Sequence, residues 1–426
     1  MLIVVMLAAA VFGIDTRSTL AFQLFAITSM LLVVSFLMSL FFFGKFAIER
    51  KLPSSGIVGK DIEYICTVKN LTGQSKKGLT IIDELKAEFP QYSFYKKSKD
   101  PLDNKRHRVD RILGYPRLVN LLRLRRGGNI PAKDIEFIAA NSKVDIKLTF
   151  SPLRRGYVYF DKLRIASAES LGLIYSTKKF IRADKLLILP KLYKTYPLNL
   201  TGHRLYQTSG QNASSLTGDA QEFISLREYR PGDPLRAIHW RSYAKIGSPV
   251  VKEYQDEYRV RYGLLLDTYM NQDTSDNLFE EAVSIAASYI TQDNEQDVLM
   301  DLMFIGNQAY QYTSGRGHHS TQSMLEILAC VESSKKNNMD DLTRLLATNI
   351  SKCCGLVCVL LAWDEARQDL VNAIQEKGVP ALVIVISDDE NLEIEQPYQS
   401  IEICIIHSSN IQIGLNNISL RGDMAA

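Results

Sequence analysis

Between Gly218 and Lys245 the chain reads Gly-Asp-Ala-Gln-Glu-Phe-Ile-Ser-Leu-Arg-Glu-Tyr-Arg-Pro-Gly-Asp-Pro-Leu-Arg-Ala-Ile-His-Trp-Arg-Ser-Tyr-Ala-Lys, denser in Arg, Glu, Asp, His and Trp than a plain linker needs to be. One chemistry these residues could perform is acid–base hydrolysis. His239 would be the base, Asp233 or Glu228 its orienting acid, and Arg227, Arg236 and Arg241 the holders of an anionic substrate, phosphorylated or from the cell envelope. No nucleophile motif accompanies them. The same residues also read as structure: Pro231-Gly-Asp233 as a turn, Trp240 as a core anchor, and the Arg/Glu pairs as a buried ion network. The second reading needs fewer coincidences and is the one favoured. His203, His318 and His319 have no partners at metal-ligand spacing and read as exposed loop residues.

The segment closely resembles the signature of domain-of-unknown-function family fifty-eight, which falls here on Leu226, Arg227, Tyr229, Gly232, Asp233, Arg236, Ile238 and Trp240. The resemblance extends from an N-terminal hydrophobic hairpin through Arg154-Arg-Gly156 and Ser170-Leu-Gly-Leu173 into the C-terminal part. It implies a von Willebrand factor A-like α/β (Rossmann-type) domain in a bacterial membrane protein. It also implies a partner, a MoxR-type AAA ATPase, and a scaffold's role in assembling or maturing other proteins rather than an enzyme's. In the parent fold a divalent cation sits between an Asp-x-Ser-x-Ser loop and a later aspartate. Here that implies Asp267, Asn271 and Asp364 as a degenerate Mg or Ca site, with Tyr269 and Asn271 replacing the serines and Thr313 the one candidate for a threonine ligand. A hard cation wants about six oxygens, so water would complete the shell. The alternative is that Asp267 and Asp364 cap following helices.

Such residues need rigid elements to hold them. After Arg259, near-continuous apolar runs alternate with amphipathic ones. Strands are expected at Tyr262–Asp267, Val298–Ile305, Leu356–Trp363, Ala381–Ile386 and Ile401–Ile406, with helices at Leu278–Thr291, Ser323–Val331, Leu342–Ile350 and Glu365–Lys377. This is the pattern of a parallel sheet covered on both faces, whose ligands bind at the carboxyl ends of its strands. Upstream, Asp61–Lys69 and Val144–Phe150 alternate apolar with polar, and Arg155–Phe160 and Leu186–Leu189 add further β-type runs, predicting an antiparallel β-sandwich. Within it, Lys96 to Arg126 holds 11 Lys/Arg against three Asp. Lys96, Lys97, Arg123, Arg125 and Arg126 could lie on anionic headgroups, or the run is a solvated excursion. No nucleic acid is expected, since Tyr92, Phe94 and Tyr95 precede the basic run instead of interleaving with it.

Leu20 to Phe43 carries no charged side chain and is long enough to cross a bilayer; Leu2 to Ile14 is shorter, and the two suit a helical hairpin. Lys45, Arg50 and Lys51 follow, which by the positive-inside tendency places the bulk of the chain in the cytoplasm, behind an anchor in the cell inner membrane. The expected divisions are therefore 1–47 transmembrane hairpin, 48–195 β-rich domain, 196–259 joining signature segment and 260–426 α/β domain. The formal net charge of +3 is too small for a global attraction to polyanions. The six cysteines show no CxxC pair, and Cys353, Cys354 and Cys358 read as buried reduced thiols.

Overall fold

The computed structural model describes residues 2–13, 19–40, 44–86, 114–168, 172–195, 222–233, 235–255, 261–271, 274–292, 299–306, 308–313, 318–389 and 400–424, with isolated positions between them. Two compact units emerge. One is Met1–Leu192 with Leu325–Val331, the other Tyr193–Met324 with Glu332–Ala426. The hydrophobic N-terminus thus belongs with the β-rich unit, and the described signature residues belong with the α/β unit.

In the first unit, α1 (Leu2–Gly13) and α2 (Thr19–Leu40) pack together. Among the described residues, the segment Leu20–Ser39 is the one helix long and apolar enough to cross a membrane. Its side chains point outward, with Leu20, Phe22, Ile27 and Met30 all exposed. Beyond it come β1 (Phe46–Lys51), β2 (Ser55–Ile57), β3 (Ile62–Asn70), β4 (Lys76–Leu85), α3 (Tyr115–Arg126), β5 (Gly128–Asn129), β6 (Lys133–Ile138), β7 (Lys143–Pro152), β8 (Gly156–Ala168) and β9 (Tyr175–Leu189). They form two sheets, ordered β1-β3-β7-β5 and β2-β9-β8-β4-β6. Period-two burial explains the pairing: Ile62, Tyr64, Cys66 and Val68 face inward from β3, and Ile146, Leu148 and Phe150 from β7. These meet Leu79, Ile81, Phe160, Leu163 and Ile165 of the other sheet in one core. Inside it Arg50 clamps Asp83 through Nε (2.9 Å) and Nη2 (2.6 Å), while Tyr64 donates to the same carboxylate at 2.7 Å.

In the second unit, β10 (Glu222–Glu228) and β11 (Val250–Gln255) form an antiparallel ribbon enclosing α4 (Trp240–Ile246). There follow β12 (Arg261–Leu266), α5 (Asp276–Gln292), β13 (Leu299–Ile305), β14 (Ala309–Thr313), α6 (His318–Cys330), α7 (Met339–Asn349), β15 (Gly355–Leu360), α8 (Glu365–Glu376), β16 (Ala381–Ser387), β17 (Ile401–His407) and α9 (Ile411–Met424). His318 and His319 therefore open a helix instead of lying in a loop. The sheet runs β14-β13-β12-β15-β16-β17, parallel except for the antiparallel edge strand β14. This is the doubly wound arrangement, with its switch point between β12 and β15. The strands β12, β15 and β16 are apolar on both faces because both are covered. All six cysteines are free; Cys353 and Cys358 lie in the core, where burial pushes each thiol up to about 12, and Cys354 is half-buried.

Candidate functional site

The signature residues build a braced hairpin. Gly232, at a φ of 110°, permits the turn that follows Pro231 and brings Asp233 back to Arg227. That guanidinium holds Asp233 in a two-pronged pair (2.7 and 2.8 Å), and the Arg230 N–H donates to the same carboxylate at 2.9 Å. The Arg227 bonds, followed by the backbone one, hold the Asp233 carboxyl down at about 2. Its folded value lies below the unfolded value of about 3.9, so the brace is fully present above that pH and is lost as pH falls toward 2. Wild type and Asp233→Asn should therefore differ in thermal midpoint at pH 6 and converge by pH 2, as read by circular dichroism at a series of pH values.

His239 does not join this pair. Its Nδ1 shares a 2.7 Å hydrogen bond with Ser242 Oγ, and its backbone N–H donates to Val250 O at 2.9 Å, so neither Asp233 nor Glu228 orients it. Tyr229 N–H donates to Pro249 O at 2.9 Å, and Ile238 is buried against Val251. Arg236 lies in the short turn Leu235–Ala237, its side chain outside the described set. Trp240 is no core anchor. It is 62 % exposed and stands edge-on to Tyr243 at 6.1 Å; Leu226, Leu235 and Ile246 of the same segment are exposed as well. A seven-residue helix has too few turns to bury a whole face, and α4 has no buried residue.

The second cluster lies at the switch point. Asp267 follows β12 and is fully buried; its Oδ2 accepts from Leu361 N–H (3.0 Å) and its Oδ1 from Tyr269 N–H (2.9 Å). Asp364 caps α8, accepting from Arg367 N–H at 3.1 Å. Between the two carboxylates stands Arg367, also fully buried. Nε donates to Asp267 Oδ2 at 2.7 Å, Nη1 to Asp364 Oδ2, and Nη2 to Tyr269 O at 2.7 Å, with the guanidinium 5.4 Å from the Tyr269 ring centre. Burial pushes the Asp267 carboxyl up, against the opposing pull of Arg367 and the two N–H groups.

The residues do not fit a divalent cation. The space between the aspartates already holds a fixed positive charge, and a second could enter only by expelling the first. Asn271 Oδ1 accepts from Thr274 Oγ1 (2.5 Å), and Asp267 serves this bridge instead of capping a helix. Thr313 pairs across from Asp301 at the start of β13, where it accepts from Arg261. That is the amino end of the sheet, opposite to Asp267, because β14 runs antiparallel. Among the described residues no group of three or more His, Cys, Asp or Glu is placed to hold a metal.

Beside the bridge, an open cleft of about 450 Å³ at the end of β13 is lined by Ile305, Ser334, Lys336, Asn338 and Arg344. The sequence gives no motif for it, since its lining comes from three separate segments. His407 was also unforeseen: Nδ1 bonds Ser409 Oγ at 2.7 Å and Nε2 meets Asp388 O at 3.0 Å, so the ring caps the short turn after β17. Lys96, Lys97 and His203 lie outside the described residues. Arg123, Arg125 and Arg126 form the last turn of α3, which leads into Gly128 opposite Pro152. That end of β7 is the far one from α2, so these arginines do not face the surface that α2 would enter.

Residues 225–397 match the family model described as "Protein of unknown function DUF58". A curated relative, "Uncharacterized protein YeaD" of Bacillus subtilis (strain 168), is 22% identical over 268 residues, spanning 62% of this chain and 64% of the relative. Among solved structures, the SpRpn10 VWA domain is similar at a TM-score of 0.28 and 13% identity, covering 37% of this chain and 95% of that one. The CARDB domain of PF1109 from Pyrococcus furiosus is similar at 0.18 and 10% identity, covering 34% and 95%.

Proposed function

We propose that the chain, whose residues 225–397 match the DUF58 family model, is a non-enzymatic scaffold whose α/β unit offers its strand ends to a protein partner, a MoxR-type AAA ATPase, in the assembly or maturation of other proteins. The observation that carries this reading is the Asp267–Arg367–Asp364 bridge. It spends the polar groups of the switch point on holding the Asp267 and Asp364 loops together, leaving a rigid rim instead of an open reactive site. The cleft beside it is lined by Lys336, and by Arg344 paired at 3.5 Å with Asp341, so one basic charge remains in excess for an acidic segment of the partner. Recognition is independent of a metal ion.

Anchoring follows from α2 crossing the cell inner membrane with α1 as a shorter arm, and the basic residues Lys45, Arg50 and Lys51 after it support a cytoplasmic location for both units. Full-length protein in detergent, titrated with a purified MoxR-type ATPase, should bind it, and Lys336→Glu/Arg344→Glu should weaken binding at least tenfold. Unchanged affinity in that double variant would remove the cleft from the reading. The alternative, an Arg/His-centred hydrolase, would be supported by phosphatase or envelope-hydrolase turnover that His239→Ala abolishes.

A further inference from the structure

The strand registers place a second basic surface where the chain leaves α2. Ser176 Oγ donates to Ser39 O at 2.5 Å and Lys178 Nζ to Gly44 O at 2.8 Å, so the start of β9 lies against the end of that helix. Lys45 O accepts from Leu71 N–H at 2.8 Å, bringing the β3–β4 loop to the same end. The pairings Phe46↔Asn70, Lys69↔Lys143, Lys76↔Ile138 and Leu79↔Ser167 then carry both sheets to one common rim.

On that rim stand Lys45, Lys69, Lys77, Lys143, Lys178 and Lys179, all exposed, with Lys76 half-buried. The nearest described carboxylates along β6 and β7, Glu136 and Asp145, sit two positions further in, and Asp145 accepts from Thr67 at 2.6 Å. The other rim, at Lys60, Gly128 and Pro152, is nine residues away along β7, about 30 Å at ~3.3 Å per residue. Lysines bind headgroup phosphates as mobile point charges, and their attraction to an anionic leaflet decays within a Debye length. Only the near rim is close enough.

We propose that this lysine rim docks on anionic phospholipid headgroups of the membrane that α2 enters, fixing the β-sandwich upright on its anchor. The proposal rests on the reading that α2 spans. Full-length protein is placed in nanodiscs of phosphatidylcholine alone or with phosphatidylglycerol, and lysine acylation rates are read by mass spectrometry. Lys69 and Lys143 should react about fivefold more slowly in the anionic discs, with Lys60 unchanged, and high salt should abolish the difference. A Lys69→Glu/Lys143→Glu variant should lose the protection of the remaining rim lysines. Equal rates in both lipids, or equal slowing at Lys60, would overturn the lipid contact. Failure of the protein to co-elute with either disc would instead sink the spanning reading on which it stands.

Discussion

Arg367→Ala is expected to destabilise the α/β unit by about 3–5 kcal/mol, because it strands Asp267 as a fully buried carboxylate with only two backbone donors left. The pH dependence carries a definite sign. Without the guanidinium, the folded-state value of Asp267 rises further above its unfolded value of about 3.9. A raised carboxyl favours folding below the unfolded value and loses that contribution as pH rises through the folded one, so the variant's deficit should grow from acid toward neutral pH. Adding Asp267→Asn should recover part of the loss by removing the charge. Arg367→Ala also vacates the space between Asp267 and Asp364. Millimolar magnesium or calcium should then raise the variant's unfolding midpoint and leave the wild type's unchanged. A uniform deficit at every pH, insensitive to Asp267→Asn, would mean that packing and not charge dominates.

A comparable effect is expected in the β-sandwich from Arg50→Leu. Arg50 has no exposed side-chain surface, pairs with buried Asp83 through two nitrogens and with Asp184 at 2.7 Å, and stacks 4.8 Å from the centre of the Phe160 ring. Removing it leaves Asp83 buried beside only the Tyr64 hydroxyl, a loss of about 3–5 kcal/mol. Replacing both partners, as Arg50→Leu/Asp83→Leu, should cost clearly less than the sum of the single changes, since an apolar pair needs no compensation. Because the chain has two units, a global melt registers the loss but does not locate it. Hydrogen exchange in β1, β3 and β4 does, and should rise in the single variant while β12, β15 and β16 stay protected. Exchange rising equally in both units would contradict a local origin.

What the sequence reveals and conceals follows from burial. β12, β15 and β16 were legible because a strand covered on both faces must be apolar throughout. The edge strand β14 was not, since Ala-Tyr-Gln-Tyr-Thr is almost wholly exposed and has no apolar run to betray it. α3 hid within the basic run for the same reason, having no buried residue. The long ribbon β8–β9 was seen only at its buried ends, because Lys178, Lys179, Arg182 and Lys185 stand in its exposed stretch. Asp267 and Asp364 could be picked from their positions after strands, but their partner lay unnoticed inside a helix. A signal existed. Arg367 sits in the first turn of α8, where the helix dipole disfavours a cation, three residues after an aspartate. An arginine so placed needs carboxylates around it.

The Arg367 guanidinium, in place of a metal ion, closes the switch point of the α/β unit. Isothermal titration of magnesium and calcium into full-length wild-type protein tests it most directly, with Arg367→Ala as the comparison. No saturable binding to the wild type is expected at millimolar cation, and one site is expected in the variant. Stoichiometric binding to the wild type that Asp267→Asn abolishes would contradict it.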